Sequence, residues 1–132
     1  MKIAFLGLGR IGQGMAHLLV KAGYQLNVFD VFPDAAKSLV EAGATFMPTI
    51  AEAVADRDIV ITMLPTDGIL ENVIAGSGGL LESMPAGSAH VIMGTHGIDM
   101  VRKATKLHSD ADQIFVAAHV LGRPDLAAQG LL

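Results

Sequence analysis

Residues 7–12 read Gly7-Leu8-Gly9-Arg10-Ile11-Gly12, so that glycine recurs in the spacing G-x-G-x-x-G. The run follows four apolar residues, Ile3 to Leu6, and precedes apolar residues at helical spacing up to Ala22. In a strand–turn–helix unit of this kind, the first glycine permits a tight turn and the second lets a ligand approach the backbone, while the third lets the helix and strand pack closely. The stretch therefore predicts a helix N-terminus that binds a diphosphate.

The next predicted strand, Leu26 to Phe29, ends at an acidic residue, Asp30. An acid about twenty residues after the glycine turn accepts hydrogen bonds from ribose hydroxyls, and it repels a 2′-phosphate. Val31 and Phe32 follow it where an arginine would favour that phosphate. Together these signals predict a dinucleotide cofactor, NAD in preference to NADP. A glycine-rich turn that binds no nucleotide is the alternative interpretation.

The rest of the chain alternates between short apolar runs and helical patterns. Further strands are predicted at 44–47, 59–64, 89–93 and 113–117, and further helices at 33–42, from Thr49, at 66–74, at 98–108 and from Pro124 to the chain end. Strands and helices that alternate at this spacing predict an α/β fold with a doubly wound parallel sheet. We expect one domain of the Rossmann type over residues 1–132.

The composition excludes several classes of function. The 132 residues contain no cysteine, which excludes disulfides, thiolate nucleophiles and sulfur-ligated metals, and we expect no metal site. A net charge of −4 without basic runs argues against nucleic acid as a partner, and no apolar stretch is long enough to span a membrane. We expect a cytoplasmic protein. The mean hydropathy of +0.50 predicts a sheet covered on both faces, and surface that further copies cover in a homo-oligomer.

Several segments resemble one enzyme family. Residues 7–36 are similar to the N-terminus of the β-hydroxyacid dehydrogenases, of the 3-hydroxyisobutyrate dehydrogenase type. Residues 61–65, 91–95 and 116–123 match later segments of that family in order and spacing, so that the resemblance covers the whole chain. It implies an oxidoreductase that transfers hydride between NAD or NADP and a small hydroxyacid.

The resemblance also implies roles for individual residues. Leu64 and Pro65 would line the adenosine side of the cofactor site, and Thr95 would contact the nicotinamide end and the substrate. Gly122 would lie near the substrate. The family's catalytic lysine belongs to a second, all-helical domain, so no catalytic residue is assigned within 1–132. We therefore expect these residues alone to bind cofactor and to turn over slowly or not at all.

The chain departs from the family pattern where the family binds its substrate. Gly94 stands in place of a serine, Ile92 in place of an aspartate and Arg123 in place of a glycine. Arg123 is a candidate to bind a carboxylate with two hydrogen bonds, with a solvated arginine as the alternative. Imine or carbonyl reductases of the same architecture lack the hydroxyacid motifs and remain an alternative. A non-catalytic nucleotide-binding or assembly module is a third interpretation.

The five histidines complete the candidates. His96 and His119 follow predicted strand ends, where α/β sheets bind their ligands. No carboxylate at metal-ligand spacing accompanies them, so we interpret both as ordinary loop residues, with a proton relay or a metal pair as the alternative. The pattern places the others, His17, His90 and His108, at the surface or at helix ends.

Overall fold

A computed structural model describes all residues from 1 to 132 and contains one six-stranded parallel sheet. The strands are β1 (Lys2–Leu6), β2 (Gln25–Phe29), β3 (Thr45–Phe46), β4 (Ile59–Thr62), β5 (Ala89–Ile92) and β6 (Ile114–Ala117). The helices are α1 (Arg10–Lys21), α2 (Lys37–Glu41), α3 (Ile50–Val54), α4 (Asp67–Ala75), α5 (Leu80–Ser83), α6 (Ile98–Asp110) and α7 (Pro124–Gln129). A short 3-10 helix, Pro33–Ala36, precedes α2. The predicted doubly wound α/β fold is confirmed.

The strand order β3-β2-β1-β4-β5-β6 reverses direction between β1 and β4. Successive crossovers run outward from β1 to one edge of the sheet, and then from β4 to the other edge. Because all strands are parallel, their carboxyl ends meet along one edge, and the loops after β1 and β4 diverge there. Open α/β sheets bind ligands in the crevice at such a switch point.

Two apolar clusters cover the two faces of the sheet. Their buried members are Ala4, Leu6, Ala53, Val54, Val60, Leu70, Val73, Ile74, Leu80, Met84, Ile92, Met100 and Ala104 on one face, and Ile3, Phe5, Leu8, Ala16, Leu26, Val28, Ala36, Leu39, Ala44 and Ile61 on the other. Consecutive residues of β1 enter opposite clusters, as strand geometry requires. Burial on both faces explains why the strands are almost wholly apolar.

Two predicted helix starts form through threonine caps. The Thr49 hydroxyl accepts a hydrogen bond from the Glu52 amide at 3.2 Å, and the Glu52 carboxylate accepts one from the same hydroxyl at 3.1 Å. Thr66 caps α4 through a single bond, accepting from the Ile69 amide at 3.2 Å. These bonds satisfy amides that the first helical turn leaves without partners.

Some predicted boundaries were wrong. The strand predicted to reach Leu64 ends at Thr62, where its pairing with Leu6 of β1 stops. The short helix α5 follows the glycine-rich loop and was not predicted. The last helix was expected to run to the chain end, but it stops at Gln129 because Gly130 adopts a left-handed conformation (φ +72°). None of the helices is long and apolar enough to cross a membrane.

Candidate functional site

The glycine turn is held by backbone contacts that exclude side chains. Gly7 has φ +95°, and a Cβ atom there would lie 2.2 Å from the Met63 carbonyl oxygen. A Cβ atom on Gly12 would lie 2.1 Å from the Gly7 carbonyl oxygen. These two positions therefore require glycine so that β1, β4 and the start of α1 can approach one another.

Gly9 serves a different purpose from its two neighbours. A side chain there would meet no atom within 4 Å, so glycine leaves open space at the start of α1. Gly9 is the N-cap of that helix, and the first turn has neither a capping side chain nor an acidic residue. Its amides and partial positive charge are available to an anion. Arg10 adds an exposed cation that forms no ion pair in the structure.

Asp30 links the second strand to the glycine turn. One carboxylate oxygen accepts the Leu8 amide at 2.7 Å, and the other accepts the Phe32 amide at 2.9 Å. The Leu8 side chain is buried in the core, so its contribution to the turn is this backbone amide. A carboxylate oxygen can accept more than one hydrogen bond, and both oxygens keep capacity for a ligand.

A cleft of about 650 Å³ opens at the carboxyl ends of β1, β2 and β4. Eight of the residues predicted to bind the cofactor line it, namely Gly7, Gly9, Arg10, Ile11, Gly12, Asp30, Leu64 and Pro65. Its remaining lining is mostly apolar and comprises Leu6, Phe29, Val31, Phe32, Met63, Ile69, Val73 and Pro124. The cleft combines an anion-binding helix end with an acid and apolar walls, a lining that suits a dinucleotide with its phosphates, ribose and flat rings.

Two of the lining residues had an unused signal in the sequence. Val31 and Phe32 are largely exposed, at 75% and 73% of their surface, although both are apolar. They directly follow Asp30, so they lie beside the carboxylate at the cleft rim. From the sequence, these two residues were used only to show that no arginine follows Asp30. Apolar residues directly after a strand-end acid were the signal for an apolar cleft wall at this position.

Besides Leu8, three predicted site residues do not line the cleft. Thr95 is exposed just after β5, on the same edge of the sheet. Gly122 and Arg123 precede α7, and the Arg123 guanidinium is 74% exposed and pairs with Asp125 at 3.1 Å. The arginine thus has the solvated environment of its alternative interpretation. The neighbouring Pro124 does line the cleft, so the start of α7 adjoins the site.

A chain of buried polar side chains crosses the core behind the site. Thr62 Oγ1 lies 2.9 Å from His90 Nε2, and His90 Nδ1 lies 2.9 Å from His108 Nε2. His108 Nδ1 lies 2.8 Å from Gln113 Oε1, and the Gln113 amide donates to the Met84 carbonyl at 3.0 Å. Because the Gln113 oxygen can only accept, both neutral imidazoles carry their proton on Nδ1. Every hydrogen bond of the chain then runs in one direction, from Thr62 to Met84.

The assignment of His90 to the surface or to a helix end was wrong, since His90 lies within β5, whereas His108 does lie at a helix end. Both are fully buried. Burial, and to a smaller extent the neighbouring His108, lowers the pKa of His90 well below its usual 6.5. Burial also lowers the pKa of His108, which its hydrogen bond to Gln113 partly offsets. His108 does lie in the last turn of α6, but that turn faces the core.

His96 has a carboxylate partner that its sequence position did not reveal. Its Nδ1 atom lies 2.8 Å from Asp67 Oδ1, at the start of α4. The Gly97 amide donates to both oxygens of the same carboxylate at 3.3 Å. Asp67 thereby joins the loop after β5 to the helix after β4.

The fold and the cleft define a class, the NAD(P)-binding Rossmann domain of an oxidoreductase. Residues 2–132 match the NAD binding domain of 6-phosphogluconate dehydrogenase, and the chain belongs to that family.

Proteins similar to this chain include several oxidoreductases. The chain is 40% identical over its whole length to an uncharacterized oxidoreductase, YfjR, of Bacillus subtilis, and covers 46% of that protein. Among solved structures, 3-hydroxyisobutyrate dehydrogenase of Mycobacterium tuberculosis with L-serine superposes with a TM-score of 0.90 at 31% identity, over 97% of this chain and 43% of that one. An imine reductase from Pseudomonas sp. gives 0.82 at 25% identity, over 95% and 43%. The predicted resemblance to the 3-hydroxyisobutyrate dehydrogenase type is confirmed, and the chain spans less than half the length of these proteins.

Proposed function

We propose that this domain binds NAD in the cleft, with the pyrophosphate at the start of α1 and the adenosine ribose at Asp30. The observation that carries the proposal is the open space at Gly9, beside a helix N-terminus without a capping side chain or an acid. The backbone conformation of Gly7 and the close packing at Gly7 and Gly12 require glycine, whereas Gly9 has no such reason. A ligand that approaches the backbone supplies one.

The preference for NAD over NADP rests on Asp30. Two backbone amides donate to its carboxylate and hold it at the end of β2. A negative charge at this strand end accepts ribose hydroxyls and repels a 2′-phosphate. Val31 and Phe32 provide apolar surface next to it, and neither can neutralise a phosphate.

The reaction class follows from the family and remains part of the proposal. We infer that residues 1–132 form the cofactor domain of an enzyme that transfers hydride between the nicotinamide and a small hydroxyacid or carbonyl compound. Thr95, Gly122 and Arg123 would lie at the substrate side. By the same resemblance, an all-helical domain outside these residues supplies the catalytic lysine. The domain alone would then bind cofactor with little turnover.

An imine or carbonyl reductase is the second candidate. Gly94 and Ile92 stand where a hydroxyacid dehydrogenase of this type has polar side chains, and an imine reductase has the same architecture. A substrate without a carboxylate would need no such side chains. The two candidates share the cofactor step and differ only in substrate. A non-catalytic nucleotide-binding module would bind cofactor without turnover even when a complementary helical domain is added.

Titration with NADH and NADPH, followed by nicotinamide fluorescence, tests the cofactor site. Val at Gly9 should fit the apo fold, because nothing lies within 4 Å of its Cβ position, but it should block the pyrophosphate. We expect Gly9→Val to raise the Kd for NADH about 100-fold or more, the loss of roughly two charge-assisted hydrogen bonds. Gly68→Val is the matched control, since Gly68 is equally open, in the first turn of α4. Failure of the wild-type domain to bind either nucleotide would refute the proposal.

We also propose that the domain functions in the cytoplasm as a homo-oligomer. The edge strand β6 exposes Ile114 and Val116 on one face, and an unpaired apolar edge favours association. Light scattering at rising concentration should detect dimers or larger species, and Ile114→Lys should shift them toward monomer. A wild-type domain that stays monomeric at high concentration would contradict the oligomer.

A further inference from the structure

One buried polar atom lacks a hydrogen-bond partner, and it lies at the edge of the sheet where the carboxyl ends of the strands meet. The His96 side chain is completely enclosed, yet its Nε2 atom has no partner. No other buried side-chain nitrogen or oxygen in the protein is left unpaired. An unsatisfied group of this kind costs about 1–3 kcal/mol, so its retention calls for a reason other than folding stability.

The surrounding contacts determine what Nε2 can do. Asp67 can only accept through its ionised carboxylate, so the Nδ1 atom, 2.8 Å away, carries the proton. In the neutral imidazole, Nε2 is then a bare lone pair that accepts hydrogen bonds. The Gly97 amide holds the same carboxylate from a second side. The ring is therefore fixed with its acceptor pointing away from Asp67.

Gly94 makes the room that this ring occupies. A Cβ atom on Gly94 would lie 3.0 Å from His96 Nε2 and 2.6 Å from the Leu64 carbonyl oxygen. Leu64 itself lines the candidate cofactor cleft. The free acceptor thus lies directly behind the wall of the cleft, between the carboxyl ends of β4 and β5. Asp30 lies after β2, on one side of β1, whereas β4 and β5 lie on the other side. A dinucleotide with its adenosine ribose at Asp30 would therefore place its opposite end near the carboxyl ends of β4 and β5.

We propose that His96 is a further cofactor-binding residue, whose Nε2 atom accepts a hydrogen bond from the amide N–H of the nicotinamide. The inference rests on the proposed function and adds a specific contact at the end of the cofactor remote from Asp30. The contact requires the segment from Gly94 to Gly97 to move away from Leu64. Glycine at both ends of Thr95 and His96 gives that segment backbone freedom.

Two substitutions separate the two nitrogens of the ring. His96→Asn keeps an amide nitrogen near the place of Nδ1, and with it the bond to Asp67, but deletes Nε2. His96→Gln keeps an acceptor near Nε2 and loses the Nδ1 geometry. We expect His96→Asn to raise the Kd for NADH about 3- to 10-fold, the effect of one hydrogen bond, and His96→Gln to retain part of the affinity. The unfolding midpoint of His96→Asn should be unchanged or higher, because the variant removes an unsatisfied atom.

ADP-ribose, which lacks the nicotinamide, is the matched ligand. Calorimetry should give equal affinities of the wild-type domain and His96→Asn for ADP-ribose, so that the loss is confined to NADH. In nitrogen-15 spectra of the wild-type domain, the Nε2 signal should shift on addition of NADH and stay in place with ADP-ribose. Equal NADH affinity of the two proteins, or an Nε2 signal that ignores NADH, would overturn the inference while leaving the proposed function intact. Absence of ADP-ribose binding by the wild-type domain would overturn both.

Discussion

Two polar regions of this molecule, the glycine turn with Asp30 and the buried chain from Thr62 to Gln113, use their polar groups in opposite ways. The turn leaves the first amides of α1 without a capping side chain at an open cleft. The buried chain gives each imidazole nitrogen a partner within 2.9 Å. Unused donors at a strand end indicate a ligand site, whereas saturated groups in a core indicate a structural one.

His96 shows why the distinction matters within one residue type. His90 and His96 are both enclosed and both belong to the region of β5. Each nitrogen of His90 has a partner, but Nε2 of His96 has none. Burial alone therefore does not separate a structural histidine from a binding one. The two kinds of histidine differ in whether the second ring nitrogen has a hydrogen-bond partner.

The largest effect is expected at Gly7, where the turn is most constrained. Gly7→Ala places a Cβ atom 2.2 Å from the Met63 carbonyl oxygen at a positive φ, so that backbone must move on both strands. We expect a loss of about 3–5 kcal/mol in the free energy of unfolding, measured with urea. Gly9→Ala is the control and should change stability by less than about 0.5 kcal/mol, apart from its effect on nucleotide binding. Equal losses in the two variants would remove the distinction between a packing glycine and a binding glycine.

The next largest effect is expected in the buried chain. His90→Leu fills a similar volume but leaves the Thr62 hydroxyl and His108 Nε2 without their partner. Stranded polar groups should lower the free energy of unfolding by about 2–4 kcal/mol in a urea titration. His17→Leu is the matched control, since His17 is partly exposed and bonds only Ser38, at 3.1 Å. A His90→Leu variant as stable as the control would mean that the chain contributes nothing to the fold.

These two regions also differ in how far the sequence could predict them. The glycine turn and Asp30 lie within 24 residues, and each residue type has a local physical reason, so the pattern alone indicated the turn and the adjoining strand end. The chain from Thr62 to Gln113 joins β4, β5, α6 and the start of β6, and no local spacing connects them. Register places Thr62 beside Ile92 and brings His90 toward α6. Such a network follows only from the assembled sheet.

The fold was predictable for a related reason, and its errors have a common cause. Continuous apolar runs identified the strands because both sheet faces are buried. The exact strand ends were missed because a partner strand, not local propensity, decides where pairing stops, as at Thr62. The pair formed by Asp67 and His96 was missed for the same reason, since 29 positions separate the two residues.

Acid should weaken the buried chain before it affects the glycine turn. Burial lowers the pKa values of His90 and His108 in the folded protein. Below about pH 6.5, the unfolded chain therefore binds more protons at these histidines than the folded chain does. Stability is therefore fully present above that pH and falls as the pH decreases. We expect a loss of about 1–3 kcal/mol between pH 7.5 and pH 5.5, measured by urea unfolding at each pH.

The variant His90→Leu serves as the control for this titration. It removes one of the two buried imidazoles, so its stability should depend less steeply on pH over the same interval. If the free energy of unfolding depended on pH equally in the wild-type domain and the variant, the acid sensitivity would belong to groups other than the buried histidines.

The smallest effect is expected at Asp30, where the open region discriminates between two ligands that differ by one phosphate. Asp30→Asn keeps the size of the side chain and removes the charge that should repel a 2′-phosphate. We expect the ratio of the NADPH Kd to the NADH Kd to fall about tenfold, equivalent to about 1.4 kcal/mol. Asp34→Asn removes the same charge from the neighbouring 3-10 helix, outside the cleft, and should leave the ratio unchanged. If both variants shifted the ratio equally, the preference would reflect net charge near the site, and Asp30 would hold only the Leu8 and Phe32 amides, a structural role like that of the buried chain.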